Sequence, residues 1–236
     1  MSVEVRRAGD RFVTERDGIV SRHGFSFGQH YDPANVGHGL LRVHNDDLLA
    51  PGAGYDTHRH ADTEIVTWVV EGRLAHEDSA GHTGVLRPGV VQRTSAGSGI
   101  EHAERNASET EPLRFVQMHL SPDEPAAAPS YEQGPVDLPA GCLVTIASGR
   151  ADRPGVVRLG SARATLLAAR LERDDAVLLP EAPLLHVYVT RGAAGLDGAG
   201  LLYDGDEARL TDEGPRRLTS TAAGTHVLVW EMGIAE

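Results

Sequence analysis

The chain has 236 residues, with 34 acidic and 22 basic side chains and a formal net charge of -12. That length accommodates one large β domain or two smaller ones, each with a sizeable core. The acidic balance argues against a phosphate-backbone partner, so no direct nucleic-acid binding is expected, and the absence of lysine excludes Schiff-base chemistry.

Residues 3–22 read as an opening strand and a turn at Asp17-Gly18. The first residues, MSVEVRRAGDRFV, carry charges where a signal peptide needs an apolar core, and no later window reaches transmembrane length. A cytoplasmic protein with no membrane partner is expected. In HGFSFGQHYDP, Phe25 and Phe27 have strand spacing and are expected on one buried face. His23 and His30 read as surface or hydrogen-bonded histidines. A strand follows through Leu40, Leu41 and Val43, and Gly52 and Gly54 then allow tight backbone geometry just before His58.

The chemistry concentrates between residues 52 and 106. His58-Arg59-His60 stands near its start and His102-Ala103-Glu104 near its end. In an extended strand, residues two apart share a face, so each cluster presents two donors in one direction. Folded together, three imidazoles and a carboxylate suit a borderline divalent metal such as Fe, Mn, Ni, Co or Zn better than Ca or Mg. Glu64 shares the parity of His60, Val66, Trp68 and Val70, which places a second carboxylate close to the metal face. It is open to three roles: ligand, anchor behind a histidine, or acid/base group. His76 and His82 sit among polar turn residues and read as solvent-facing.

In PLRFVQMHLS, Phe115, Gln117 and His119 share a strand face. Residues 123–141, rich in Pro, Ala and acidic residues, have no clean period and read as a linker. Beyond it come short β-prone pieces between Gly, Asp and Pro turns, including ATLLAARL, whose flanking pattern favours strand over helix. The single cysteine, Cys142, excludes an internal disulfide and reads as a small buried thiol. His186 and His226 are isolated, so no second metal site is expected. This half reads as a structural duplicate whose ligands have been lost.

HGFSFGQHYDP (23–33), LRVHNDD (41–47), THRHADTEIVTWVVEGRLAHEDSAGHTGVLRPG (57–89) and TSAGSGIEHAERN (94–106) resemble the pirin family, two-domain members of the cupin superfamily. The likeness is dense from about residue 20 to 120 and thin from about 140. It implies an all-β bicupin of two tandem double-stranded β-helix (jelly-roll) barrels. Residues 1–122 would carry the metal, 123–141 would link, and 142–236 would form a barrel without ligands. The resemblance implies one divalent metal, usually Fe(II), with Mn, Ni, Co, Cu or Zn as alternatives. It would be held by His58, His60, His102 and Glu104, with Glu64 behind them. Two departures stand out: Arg59 replaces a common proline between the first two histidines, and Gln117-Met118-His119 replaces a glutamine followed by tryptophan. Some members are similar to quercetin 2,3-dioxygenases, which open a flavonol with O2 and release carbon monoxide. Here Glu104 or Glu64 would accept the hydroxyl proton, with Val66, Trp68 and Phe27 as pocket walls. Eukaryotic pirins are linked to transcription regulation through protein partners, so the alternative is a metal-containing interaction protein. A monomer is expected.

Overall fold

The computed structural model describes residues 2–234, and these form strands and turns with a single short 3-10 turn at Ala8–Asp10. No helix among them is long and apolar enough to cross a membrane. Local sequence explains much of this. At Asp17-Gly18 both residues have positive φ (51° and 77°), the geometry of a two-residue hairpin turn whose twist matches the flanking strands. That turn joins Phe12–Arg16 to Ile19–His23, with Arg16 opposite Ile19. ATLLAARL is a strand, Ala164–Leu171, because it pairs with Cys142–Ser148 on one side and Thr225–Met232 on the other. Tertiary pairing overrides its helix propensity.

The strands form four sheets. In the first half, a seven-stranded sheet runs edge to edge as Ser130–Pro135, Val90–Ser95, Glu64–Glu71, Leu113–Leu120, Leu41–Leu49, Ile19–His23 and Phe12–Arg16. A four-stranded sheet runs as Gly54–His60, Ile100–Asn106, Leu74–Asp78 and Thr83–Leu86. The second half repeats the plan. Its larger sheet is Ser2–Arg6, Glu207–Thr211, Leu184–Arg191, Thr225–Met232, Ala164–Leu171, Cys142–Ser148 and Val157–Arg158, and its smaller one is Ala176–Leu178, Arg217–Ser220, Ala193–Leu196 and Gly200–Tyr203.

The expected jelly-roll barrels are not what these residues form. Closure requires the two edges of a sheet to hydrogen-bond to each other, and none of the four sheets is closed in this way. The architecture is open sheets packed face to face. One strand crosses between the halves of the sequence, Ser2–Arg6 pairing antiparallel with Glu207–Thr211, while Ser130–Pro135, inside the 123–141 stretch, pairs with Val90–Ser95 and extends the sheet of the first half.

Three apolar clusters explain the layering. Val66, Trp68 and Met118 of the first large sheet pack with Leu166, Tyr188 and Trp230 of the second, so the large sheets lie back to back. Between the two sheets of the second half the filling is aliphatic, including Leu167, Val187, Leu202 and Leu218. Between the two sheets of the first half, an apolar cluster around Leu74, Leu86 and Phe115 is accompanied by a polar cup. Two sequence expectations change here. Phe25 is buried but Phe27 is 41% exposed and stacks on His23, and Cys142 is exposed rather than buried.

Candidate metal centre

Three neighbouring strands of the small sheet build the cup. Ile100–Asn106 lies between Gly54–His60 and Leu74–Asp78. His102 stands opposite His58 on one side and Asp78 on the other, while Glu104 stands opposite His76. A register shift between His102 and Glu104 displaces the pairing so that Glu104 faces Tyr55. The residues on the cup face are therefore neighbours by strand alternation and pairing together.

Donor atoms of His58, His60 and His102 lie within 4.8 Å of one another, and those of His76, His102 and Glu104 form a second such group through the shared His102. His58 Nε2 and His102 Nε2 are 3.1 Å apart. Two ligands bound to one ion at about 2.1 Å and a right angle would stand about 3.0 Å apart. His58 Nδ1 donates to Asp56 O at 2.8 Å, which leaves Nε2 with its lone pair facing the cup, the arrangement common for a metal-binding imidazole. His60 Nε2 and Glu104 Oε1 are buried and have no hydrogen-bond partner. Buried polar atoms left unpaired in this way call for an explanation, and a small cation among imidazoles and a carboxylate is one that the donor set fits.

Electrostatics agree with that fit. Burial lowers His60 to about 4 and His102 to about 3, the other histidines adding to both shifts, so these imidazoles are neutral at ordinary pH. Burial raises Glu104 to about 7; the hydrogen bond from Gln117 opposes this and the Asp47 charge reinforces it.

The large sheet supplies the cup's floor. Gln92, Thr67, Gln117 and Asn45 are successive cross-strand partners and make a polar row. Gln117 Nε2 donates to Glu104 Oε2 at 2.6 Å, and His119 sits edge-on to His60 with ring centroids 5.2 Å apart. Tyr131, from Ser130–Pro135, is stacked on both His76 and His82 at 5.1 and 4.9 Å. Asn106, the last residue of the second motif, donates to Leu49, Ala50 and Glu111 carbonyls and accepts from Ser108 N–H, so it organises the adjoining turn.

Glu64 lies elsewhere. It is buried, but its carboxylate accepts from Ser95 Oγ at 2.5 Å and Gly160 N–H at 2.9 Å, with Arg93 Nε at 3.9 Å, and it is not one of the clustered donors. Strand parity does not carry from His60 to Glu64, because the chain turns at residues 61–63 with Asp62 at φ 51°. Val66 and Trp68 accordingly belong to the core between the large sheets rather than to a pocket wall. His76, expected at the surface, is buried on a strand. The alternation Leu74, His76, Asp78 was a usable signal, since Leu74 faces inward.

A further group, His44, His186 and Glu207, is wholly buried between the halves. Burial would raise Glu207, but Arg11, His186 and Arg209 outweigh it and hold the carboxyl well below its usual range. Both arginines hydrogen-bond to Glu207. With two guanidiniums on one carboxylate, a dication there would face a positive surround, and the group acts as a clamp: Arg209 also holds Asn35 and Gly24 O, and Tyr188 donates to Asp46, which pairs with Arg114.

A sequence profile of the family Pirin matches residues 5–120. "Putative quercetin 2,3-dioxygenase Rv0181c" of Mycobacterium tuberculosis (strain ATCC 25618 / H37Rv) is 51% identical over 234 residues, covering 98% of this chain and 95% of that protein. The quercetin 2,3-dioxygenase of Escherichia coli (strain K12) is 41% identical over 139 residues, covering 59% of this chain and 60% of that protein. The bacterial pirin YhhW from Escherichia coli, crystallised in complex with nickel(II), superposes with a TM-score of 0.90 at 28% identity, over 99% of this chain and 100% of that one. With the histidine and glutamate cup on the same four-sheet plan, the chain belongs to the pirin family of the cupin superfamily.

Proposed function

We propose that the cup holds one divalent transition metal through His58, His60, His102 and Glu104, with Fe(II) as the first candidate, and that the protein is a quercetin 2,3-dioxygenase. The observation that carries this reading is the convergence of donor atoms, with His58 Nε2 and His102 Nε2 3.1 Å apart and His60 Nε2 and Glu104 Oε1 without partners in the protein. The names of the relatives support the substrate class.

When bound, the metal supplies polarisation of the substrate's oxygens and stabilises its anion. The protein's own contribution is proton handling and positioning. As the cup's carboxylate, Glu104 is the candidate acceptor of the flavonol hydroxyl proton, through Oε2, which also accepts from Gln117 Nε2. Tyr131, stacked on both His76 and His82, steadies those rings beside the cup.

The test is to mix iron-loaded protein with quercetin in air and follow loss of the flavonol absorption, with an anaerobic control. Oxygen- and metal-dependent loss is expected. No turnover beside a working positive control would sink the reading.

A further inference from the structure

The two oxygens of Glu104 are not equivalent. Oε2 accepts Gln117 Nε2 at 2.6 Å, while Oε1 is buried without a partner. The far side of the same amide, Gln117 Oε1, lies 3.1 Å from His119 Nε2. An amide oxygen can only accept, so His119 carries its proton on Nε2. Turned round, the amide would set its oxygen against a carboxylate oxygen. The Glu104 contact therefore selects the amide's orientation, and the bond from His119 Nε2–H holds it there. Gln117 and His119 are two residues apart on Leu113–Leu120 and share its cup face, and both are buried, so this chain of hydrogen bonds is shielded from competing water. Neither residue is among the clustered donors.

We propose that Gln117 and His119 are positioning residues for the metal centre: His119 fixes the Gln117 amide, the amide occupies Oε2, and Glu104 is left to meet the metal through Oε1. The proposal rests on the metal-centre reading above. It assigns a purpose to the histidine at 119, whose ring also packs edge-on against His60 and so steadies a second donor. Partners standing behind ligands in this way commonly change metal affinity by about 10–100-fold when removed.

The probe is Co(II), titrated into metal-free protein against a chelating indicator, with the visible spectrum of the loaded protein reporting the ligand arrangement. His119→Phe keeps an aromatic ring and removes the N–H. It is expected to weaken Co(II) binding by about 10–100-fold and to alter the spectrum. Gln117→Leu should do the same, and it carries the comparison if His119→Phe does not fold. His119→Gln brings an N–H to a similar reach and should restore both readouts toward the parent. A folded His119→Phe or Gln117→Leu protein with parental affinity and spectrum overturns the proposal. His102→Ala separates the two levels. If Co(II) uptake survives that change undiminished, the metal-centre reading itself is overturned. If uptake is lost there yet indifferent to residues 117 and 119, only the positioning role is overturned.

Discussion

His58 and His102 stand directly opposite each other on neighbouring strands, with their Nε2 atoms 3.1 Å apart. With no cation between them, the only favourable contact is a single N–H···N bond, and it requires His102 to carry its proton on Nε2 because His58 carries its own on Nδ1. Metal analysis of purified single variants checks the assignment: His58→Ala, His60→Ala, His102→Ala and Glu104→Ala should each lose most of the bound metal, whereas Glu64→Ala should retain it. Full occupancy in all four would refute the ligand set.

Metal uptake should release a proton whose number depends on pH. Glu104 is raised to about 7, so below that pH it holds a proton that a coordinating carboxylate must give up. At pH 6 Glu104 should contribute about one proton to lightly buffered solution per metal bound, and at pH 8.5 almost none. His60 and His102, lowered to about 4 and 3, contribute nothing in that range. Glu104→Gln should release about one proton fewer per metal bound at pH 6, and an unchanged release would contradict the assignment.

Asp47 provides a separate pH signature in the fold. It is fully buried, accepts from Ser21 Oγ, and is raised to about 7, chiefly by burial. An acid with a raised folded pKa binds more protons folded than unfolded between about 4 and 7. Its contribution to stability is fully present below about pH 4 and is lost as pH rises toward 7. Asp47→Asn should match the parent near pH 4 and exceed it by a margin that grows to about pH 7 and then levels. Urea unfolding at several pH values measures this, and a pH-independent difference would show the shift to be absent.

The clamp between the halves should be costly to break from one side. Glu207→Ala leaves Arg11 and Arg209 buried without their carboxylate, and the expected loss is about 3–5 kcal/mol. Metal content per folded chain should be unchanged, because Glu207 is not among the cup's donors. Chemical denaturation together with metal analysis tests both halves of the statement.

The alternation at 58–60 and 102–104 is a local, two-residue period, so sequence alone shows which side chains share a face. Glu64 could not be placed by the same rule, because a single turn at 61–63 resets the parity. Reading His76 among the polar turn residues hid its place on an inward-facing strand, and with it a fifth donor at the cup. Sheet closure depends on whether edges meet, which alternation does not encode, so the barrels expected from family likeness gave way to open sheets. His44, His186 and Glu207 come from segments up to 163 positions apart, and only the packing of the large sheets brings them together.

The pairing of Ser2–Arg6 with Glu207–Thr211 also bears on how the molecule is made. The opening strand leaves the ribosome about 200 residues before its partner, a wait of about 10–40 s at ordinary synthesis rates. Throughout that interval its backbone N–H and C=O groups have no native ladder to join, even if the metal cup has already assembled. Pairing of these two strands therefore waits on synthesis of residues 207–211, a seam that ties the larger sheet of the second half to a strand made long before it.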